Sequence, residues 1–228
     1  LSQGGSVMAG KRKVNKGAMM KGGQSGEVDW ERPDENQFYP TPPEATEALI
    51  RAMPHLAGGK FWECACGDGR LAKVLEFHGC KVISTDLIDR GYGEGKVDFL
   101  ATTRPRASKI ITNPPFTLAQ AFIEHAMRLH MEEVWMLLKT NYYQAANRQG
   151  FKARIRPKYK LELSWRIDSL GLGNGALDCA WFGFVRDYSG PTLWDTLPKP
   201  KMDNLDLFLP AQVTPTAQSS FVQQGVLL

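Results

Sequence analysis

Asn113-Pro114-Pro115-Phe116 closes the apolar run Lys109-Ile110-Ile111-Thr112. Chance places such a string in roughly two of every thousand chains of this length. A β-branched run that meets two prolines is a strand that must stop, because neither proline has an N–H to give to a ladder. Past the strand the chain must form a stiff, extended turn. The Asn113 side chain brings one carbonyl acceptor, the Pro114 peptide carbonyl a second, and Phe116 a π-face. Two acceptors beside an aromatic ring suit a planar ring that carries an exocyclic amino group, such as adenine. The structural alternative is a proline turn capped by a core phenylalanine.

Upstream, Phe61-Trp62-Glu63-Cys64-Ala65-Cys66-Gly67-Asp68-Gly69-Arg70 reads as a short strand running into a Gly-x-Gly turn. Leu71, Val74, Leu75 and His78 then fall at helical spacing. Glycines at such a turn let the backbone approach a ligand closely. The dinucleotide fingerprint is not met, since Ala72 stands where its third glycine belongs, and no phosphate-loop Gly-Lys-Ser/Thr is present. The expected ligand therefore has no pyrophosphate. Glu63 at the strand end argues for an ammonium or hydroxyls. Val82-Ile83-Ser84-Thr85-Asp86 is a second strand that ends in an acid, 17 residues after Gly69. That is close to the spacing at which α/β nucleotide folds set a carboxylate on ribose hydroxyls. Capping of a following helix is the plainer role for Asp86. In Lys96-Val97-Asp98-Phe99-Leu100, Asp98 is a candidate acceptor for an adenine amino group, or a solvated loop acid.

Taken in order, Glu63-Cys64-Ala65-Cys66-Gly67-Asp68-Gly69, Asp86, Asp98 and Asn113-Pro114-Pro115-Phe116 resemble the motifs of S-adenosylmethionine-dependent amino-methyltransferases. Phe38-Tyr39-Pro40-Thr41-Pro42 is similar to the element that precedes the cofactor turn in adenine-specific DNA methyltransferases. The compact spacing looks most like the small phage-type N6-adenine enzymes, over about residues 37 to 186. One departure is Glu63-x-Ala-x-Gly, where the family often has Asp and an aromatic or Gly.

The resemblance implies an α/β, Rossmann-like methyltransferase fold: a mostly parallel seven-stranded sheet with helices on both faces and a late antiparallel hairpin. It implies S-adenosylmethionine as cofactor, S-adenosylhomocysteine as product and DNA as partner, with RNA not excluded. The implied cofactor contacts are Tyr39, Thr41, Glu63, Cys64, Gly67, Gly69, Asp86, Leu87, Asp98 and Asn113. Catalytic roles fall to Asn113, Pro114, Pro115 and Phe116. An RNA adenine or a protein glutamine amide would present a similar planar amine. A non-catalytic module or decoy on the same fold is a further alternative, against which an intact Asn113 speaks.

At 228 residues and 43% hydrophobic, the chain fits one domain with extensions. No apolar run reaches the ~18 residues of a membrane span, and no secretory signal is visible. Cys64, Cys66, Cys80 and Cys179 read as reduced structural thiols of a cytoplasmic protein, in a bacterial or phage-infected cell. Cys64 and Cys66 are expected to alternate on one strand face. The four histidines make no zinc spacing, so no metal is expected. Of the net charge of +4, residues 1–26 hold +5 and the rest −1. Locally the rest is basic: Arg148, Lys152, Arg154, Arg156, Lys158, Lys160 and Arg166 stand against Glu162, with Phe151, Tyr159 and Trp165 between. Such a segment can hold phosphates and stack bases, the first six being the candidate nucleic-acid contacts. It can equally be a solvated loop and edge strand.

The elements that must position these residues can be read from the pattern. Residues 1–29 are expected to be a flexible basic segment, with Met8 read as a start and residues 1–7 as an addition before it. The catalytic domain is expected over 30–197 and a tail over 198–228. A helix is predicted from Pro43 to Met53, with Thr41 as its cap and Pro42 and Pro43 in its first turn. Strands are expected near 60–64, 81–85, 109–112 and 134–138, and helices near 69–78 and 117–130. This alternation indicates a parallel sheet. Residues 141–153 read as helix, 160–167 as a strand, Gly171–Gly175 as a turn and 176–185 as a buried strand.

Overall fold

A computed structural model of the protein describes residues 38–144, 148–168, 175, 177–203 and 205–208. The expected basic segment 1–29, most of the Gly171–Gly175 turn and residues 209–228 of the expected tail lie outside the described residues.

Seven strands are described: β1 (Lys60–Glu63), β2 (Lys81–Ser84), β3 (Lys109–Thr112), β4 (Glu133–Lys139), β5 (Tyr159–Leu163), β6 (Cys179–Val185) and β7 (Leu193–Leu197). They pair in the order β2-β1-β3-β4-β6-β5-β7. Among them β6 alone runs antiparallel to its neighbours β4 and β5; the other pairings are parallel. The β5–β6 pair is the expected late hairpin. The sheet's seventh strand is β7, a segment the sequence pattern does not mark. Four of its five residues are exposed, so it lacks the apolar alternation of a core strand.

Strand alternation splits the core into two layers. Phe61, Ile111, Trp135, Leu137, Leu161 and Trp181 face α1 (Pro43–Ala52) and α2 (Arg70–Phe77). Trp62, Ile110, Val134, Met136, Leu138 and Phe182 face α3 (Ala119–Arg128) and α4 (Gln149–Arg154). The buried tryptophans satisfy their indole N–H groups: Trp62 donates to Thr85 Oγ1 and Trp135 to Glu133, both at 2.9 Å, and Trp181 donates to the Ala45 carbonyl at 2.8 Å. The Trp181 bond pins α1 to the middle of the sheet. Residues 199–203 and 205–208 continue along this side: Lys199 pairs with Glu44, and Phe208 buries its ring edge-on against Phe77.

Three expectations change. The predicted helix over 141–153 is a 3-10 turn at Tyr142–Gln144 followed by the short α4, with 145–147 outside the described residues. Thr41 does not cap α1: the cap position is Pro42, no side chain caps it, and the Thr41 hydroxyl is engaged elsewhere. Cys64 and Cys66 do not share a strand face, because β1 ends at Glu63 and both thiols sit in the turn beyond it. No described helix is long and apolar enough to cross a membrane.

The Trp181 bond gives a direct test. Trp181→Phe keeps an aromatic ring but removes the indole bond to the Ala45 carbonyl, which keeps its partner within α1. Folding stability should drop by about 0.5–1.5 kcal/mol in chemical denaturation, the net worth of one hydrogen bond. An unchanged midpoint would mean that the tie between α1 and β6 is dispensable.

Candidate active site

Because β2 lies on one side of β1 and β3 on the other, the chain reverses its direction of travel at β1. A crevice opens beyond the strand ends at such a point. Here it is a cleft enclosing about 810 Å³, open solvent at its mouth included. The turn after β1 supplies Cys64, Ala65, Cys66, Gly67 and Asp68; the end of β2 supplies Asp86, Leu87 and Ile88; and the end of β3 supplies Asn113 and Pro115. Tyr39 and Thr41 close one side and Asp98 another. The cleft thus gathers most of the expected cofactor residues. Gly69, Pro114 and Phe116 do not line it, nor does Glu63, which lies buried below.

Backbone bonds continue the β1–β2 pairing past the strands. Thr85 N–H donates to the Glu63 carbonyl at 2.8 Å and Cys66 N–H to the Thr85 carbonyl at 3.0 Å. Asp86 completes the seam: its carboxylate accepts from Gly67 N–H at 2.8 Å and from Ile88 N–H at 2.9 Å. Asp98 caps a 3-10 turn by accepting from Leu100 N–H at 2.8 Å. Asp68 pairs with Arg70 at 2.8 Å.

The glycines turn as expected, both with positive φ, but their open faces are taken. A Cβ on Gly67 would come within 2.4 Å of the Phe38 ring, and one on Gly69 within 2.4 Å of the Tyr92 ring. The Arg90 guanidinium lies 4.3 Å from the centre of the Phe38 ring. The close approach that these glycines permit is therefore to aromatic rings of the same chain.

At Asn113-Pro114-Pro115-Phe116, Asn113 Nδ2 donates to the Tyr39 carbonyl and to Thr41 Oγ1, each at 3.0 Å. Phe116 stacks on Tyr39, centroids 5.5 Å apart and planes 17° from parallel, and the Lys139 ammonium stands 5.4 Å from its centre. The sequence reading passes over Lys139, Arg90, Leu118 and Phe122. Leu118 and Phe122 sit one turn apart just past the motif, a spacing that marks one helix face.

Glu63 is 1% exposed. Its Oε1 accepts from Thr112 Oγ1 at 2.5 Å and from Ala65 N–H at 3.2 Å, while Oε2 is buried with no partner. Burial pushes this carboxyl up to about 8 against those two hydrogen bonds, with the nearby Asp86 charge adding to the rise. Burial likewise raises the Cys66 thiol to about 12 and pushes the Cys64 thiol well above its ordinary value. Neither thiol is a ready nucleophile. No group of ligating side chains that could hold a metal occurs among the described residues.

The basic segment is partly spent on the protein itself. Arg148 folds over Tyr142, 4.0 Å from its ring centre, and donates to the Tyr142 carbonyl. Arg154 pairs with Glu124, Lys160 with Glu162 and Arg166 with Asp178. Lys158 lies over Tyr159 and Tyr188. Lys152, Arg156 and Lys160 line a groove of about 690 Å³ with Thr140, Tyr143 and Phe182.

The Glu63 carboxyl makes stability depend on pH. Its folded pKa lies above its ordinary 4.5, so the unfolded chain loses the proton first. Stability is then highest below about 4.5 on this account, falls as pH rises to about 8, and is level beyond. Glu47 and Glu133 work in the opposite sense. Burial opposes their charge, yet hydrogen bonds from His78 and Arg51, and from His55, Trp135 and Lys109, hold them below the carboxylate range. Their contribution is lost as pH falls through that range. Glu63→Gln should remove the decline between about pH 5 and 8, worth a few kcal/mol at most, and leave the acid limb intact. Denaturation midpoints against pH for the two proteins check this; parallel curves refute it.

No protein-family model matches the chain, and no curated protein matches it in sequence. Solved structures match in fold. A type I restriction-modification system methyltransferase subunit from Streptococcus thermophilus superposes with a TM-score of 0.50 at 11% identity, over 67% of this chain and 45% of that one. A Pyrococcus horikoshii protein described as an RNA methyltransferase gives 0.51 at 17% identity, over 64% and 85%. A class I S-adenosylmethionine-dependent methyltransferase from Listeria monocytogenes gives 0.49 at 14%, over 67% and 64%. The chain spans less than two thirds of the Listeria and Streptococcus chains. At these identities the likeness is one of architecture: the sheet, its covering helices and its late hairpin have the Rossmann-like methyltransferase fold.

Proposed function

We propose that the protein transfers a methyl group from S-adenosylmethionine to the exocyclic amine of adenine in DNA. The observation that carries this reading is the state of Asn113. Both protons of its Nδ2 are used on Tyr39 and Thr41, so the amide is left with its acceptor, Oδ1, to offer at the cleft. An acceptor on a proline-stopped strand end is what an aromatic amine needs.

The cofactor fits the residues present. Asp86 sits at the end of β2 with Leu87 and Ile88 beside it, suited to ribose hydroxyls and an apolar ring edge. Asp98 is placed for an amino group, and the carboxylates of Asp68, Asp86 and Asp98 favour a cation over a pyrophosphate. Beneath them, Oε2 of Glu63 is a buried polar atom with no partner. When bound, the cofactor supplies an activated methyl on a sulfonium that departs as a neutral thioether.

An aromatic amine is a poor nucleophile while its lone pair is delocalised into the ring. Asn113 Oδ1 and the Pro114 carbonyl, accepting its two hydrogens, let the nitrogen pyramidalise and localise that pair. The rest is alignment and electrostatic complementarity to a spreading positive charge. As the N–C bond forms and the S–C bond breaks the amine becomes cationic, and it then sheds one proton to solvent; no strong base is required, in keeping with the raised Cys64 and Cys66 thiols. Pro115 fixes the exit of the chain, and Phe116 offers its ring to the target base beside Tyr39. A base in a duplex must first leave the stack, at a cost of a few kcal/mol. Lys152 and Arg156 are the phosphate contacts of this reading, with Arg148, Arg154, Lys158 and Lys160 held back by their internal partners.

The nucleic-acid substrate draws support from the basic groove and from the kinship of fold with a restriction-modification methyltransferase subunit; RNA is the second reading, since the Pyrococcus protein is described as an RNA methyltransferase. Incubation with tritiated S-adenosylmethionine and DNA, RNA or protein separates them by where label goes. Label on adenine of DNA is expected. Cofactor binding without label on any substrate would favour a decoy. Asn113→Ala should slow single-turnover transfer by ~100-fold or more with cofactor affinity near normal; transfer at the parent rate removes Asn113 from catalysis. Asp86→Ala should weaken cofactor binding by about 1–3 kcal/mol, and unchanged calorimetry would displace Asp86 from the site.

Lys152→Ala with Arg156→Ala should lower the log–log salt slope of nucleic-acid binding by about two. An intact slope would mark the groove as solvated surface.

A further inference from the structure

Residues 38–42 form a strap across the head of the site. Phe38 lies on Gly67 under Arg90, Tyr39 stacks on Phe116, and the Tyr39 carbonyl and Thr41 hydroxyl both meet Asn113 Nδ2. Thr41 is 6% exposed, and its hydroxyl is occupied by this contact rather than by capping of α1.

A side-chain amide is almost symmetric in shape. Turning it over exchanges oxygen and nitrogen with little steric effect, so hydrogen-bond partners decide its orientation. The Tyr39 carbonyl has no proton and can only accept, so it must face Nδ2. Thr41 Oγ1 takes the second proton of the same nitrogen. Turned over, Asn113 would set the Tyr39 carbonyl against Oδ1 and send its own donor towards the amine; the Thr41 hydroxyl, which donates as readily as it accepts, does not choose the orientation but holds the amide in the one that Tyr39 sets.

We propose that Thr41, together with the Tyr39 carbonyl, is a positioning residue that holds the Asn113 amide with Oδ1 turned to the target amine. The assignment rests on the role given to Asn113 above. It moves Thr41 from the expected cofactor contacts to the transfer step: Thr41 sets the rate of transfer, and cofactor affinity is indifferent to its hydroxyl. The Tyr39 carbonyl alone is not enough, because one backbone acceptor leaves the second Nδ2 proton unpaired.

Thr41→Val removes the hydroxyl at nearly constant volume, and Thr41→Ser restores it. Three readings are taken on the full chain: cofactor affinity by calorimetry, single-turnover transfer at saturating cofactor and DNA, and solvent exchange of the Asn113 side-chain NH₂ protons by ¹⁵N NMR. Thr41→Val should transfer about 10-fold or more slowly, the worth of one hydrogen bond. Its cofactor affinity should stay within about twofold of the parent, which also certifies the fold. Its Asn113 NH₂ protons should exchange faster. Thr41→Ser should match the parent in all three.

Transfer by Thr41→Val at the parent rate overturns the proposal. So does a loss that extra cofactor repairs, which returns Thr41 to the cofactor site. Should the parent methylate no substrate, the functional reading falls. The exchange measurement still decides the Thr41 claim, and Asn113 protons as protected in Thr41→Val as in the parent defeat it.

Discussion

The hydrogen bond from Gly67 N–H to the Asp86 carboxylate, 2.8 Å long, is the contact around which the site is arranged. Charge-assisted bonds to backbone amides are among the stronger ones. This one locks the turn after β1 onto the end of β2 where regular pairing has run out. With Gly67 fixed, its bare face becomes the seat for Phe38, and Phe38 sets where Tyr39 and Thr41 fall. Those two hold Asn113, which belongs to a third strand. A local clip between neighbouring loops thus reaches the Asn113 amide through one short strap.

The first three strands were legible because they are compact apolar runs that stop at acids or prolines, and β4 because it is an unbroken apolar run closed by Lys139. β7 was not, since an edge strand with one face in water needs no apolar alternation, and Trp194 is 62% exposed. The Gly-x-Gly turn could be read, but the rings that fill it could not. Phe38 and Tyr92 arrive from either side in sequence, and no local pattern ties them to Gly67 and Gly69. Charge counting overstated the basic segment for a related reason. Glu124 and Asp178 reach it from α3 and from the approach to β6, and pairing of that kind is tertiary. The strap was visible as a motif, yet its bonding to Asn113 required the fold.

Acidic groups divide by partner. Glu47 and Glu133 are buried among cations and indole or imidazole donors, and both serve the scaffold. Glu63 is buried more deeply than either and has no cation beside it. A group left so poorly matched is costly to the empty fold, which is the usual mark of a residue retained for what it meets in use.

The direction of the strands carries a consequence for how such a chain can change. With six of the seven described strands running the same way, the cleft and the connections that frame it collect at one rim, while Glu133, His55 and Lys109 knit the opposite rim shut. Doubling the length of a surface loop costs only about 0.6 kcal/mol in closure entropy. The open rim can therefore lengthen, shorten or exchange its loops while sheet register stays as it is. Changes in the shape of the cleft cost little there, whereas an insertion at the knitted rim would disturb the Glu133 pairs.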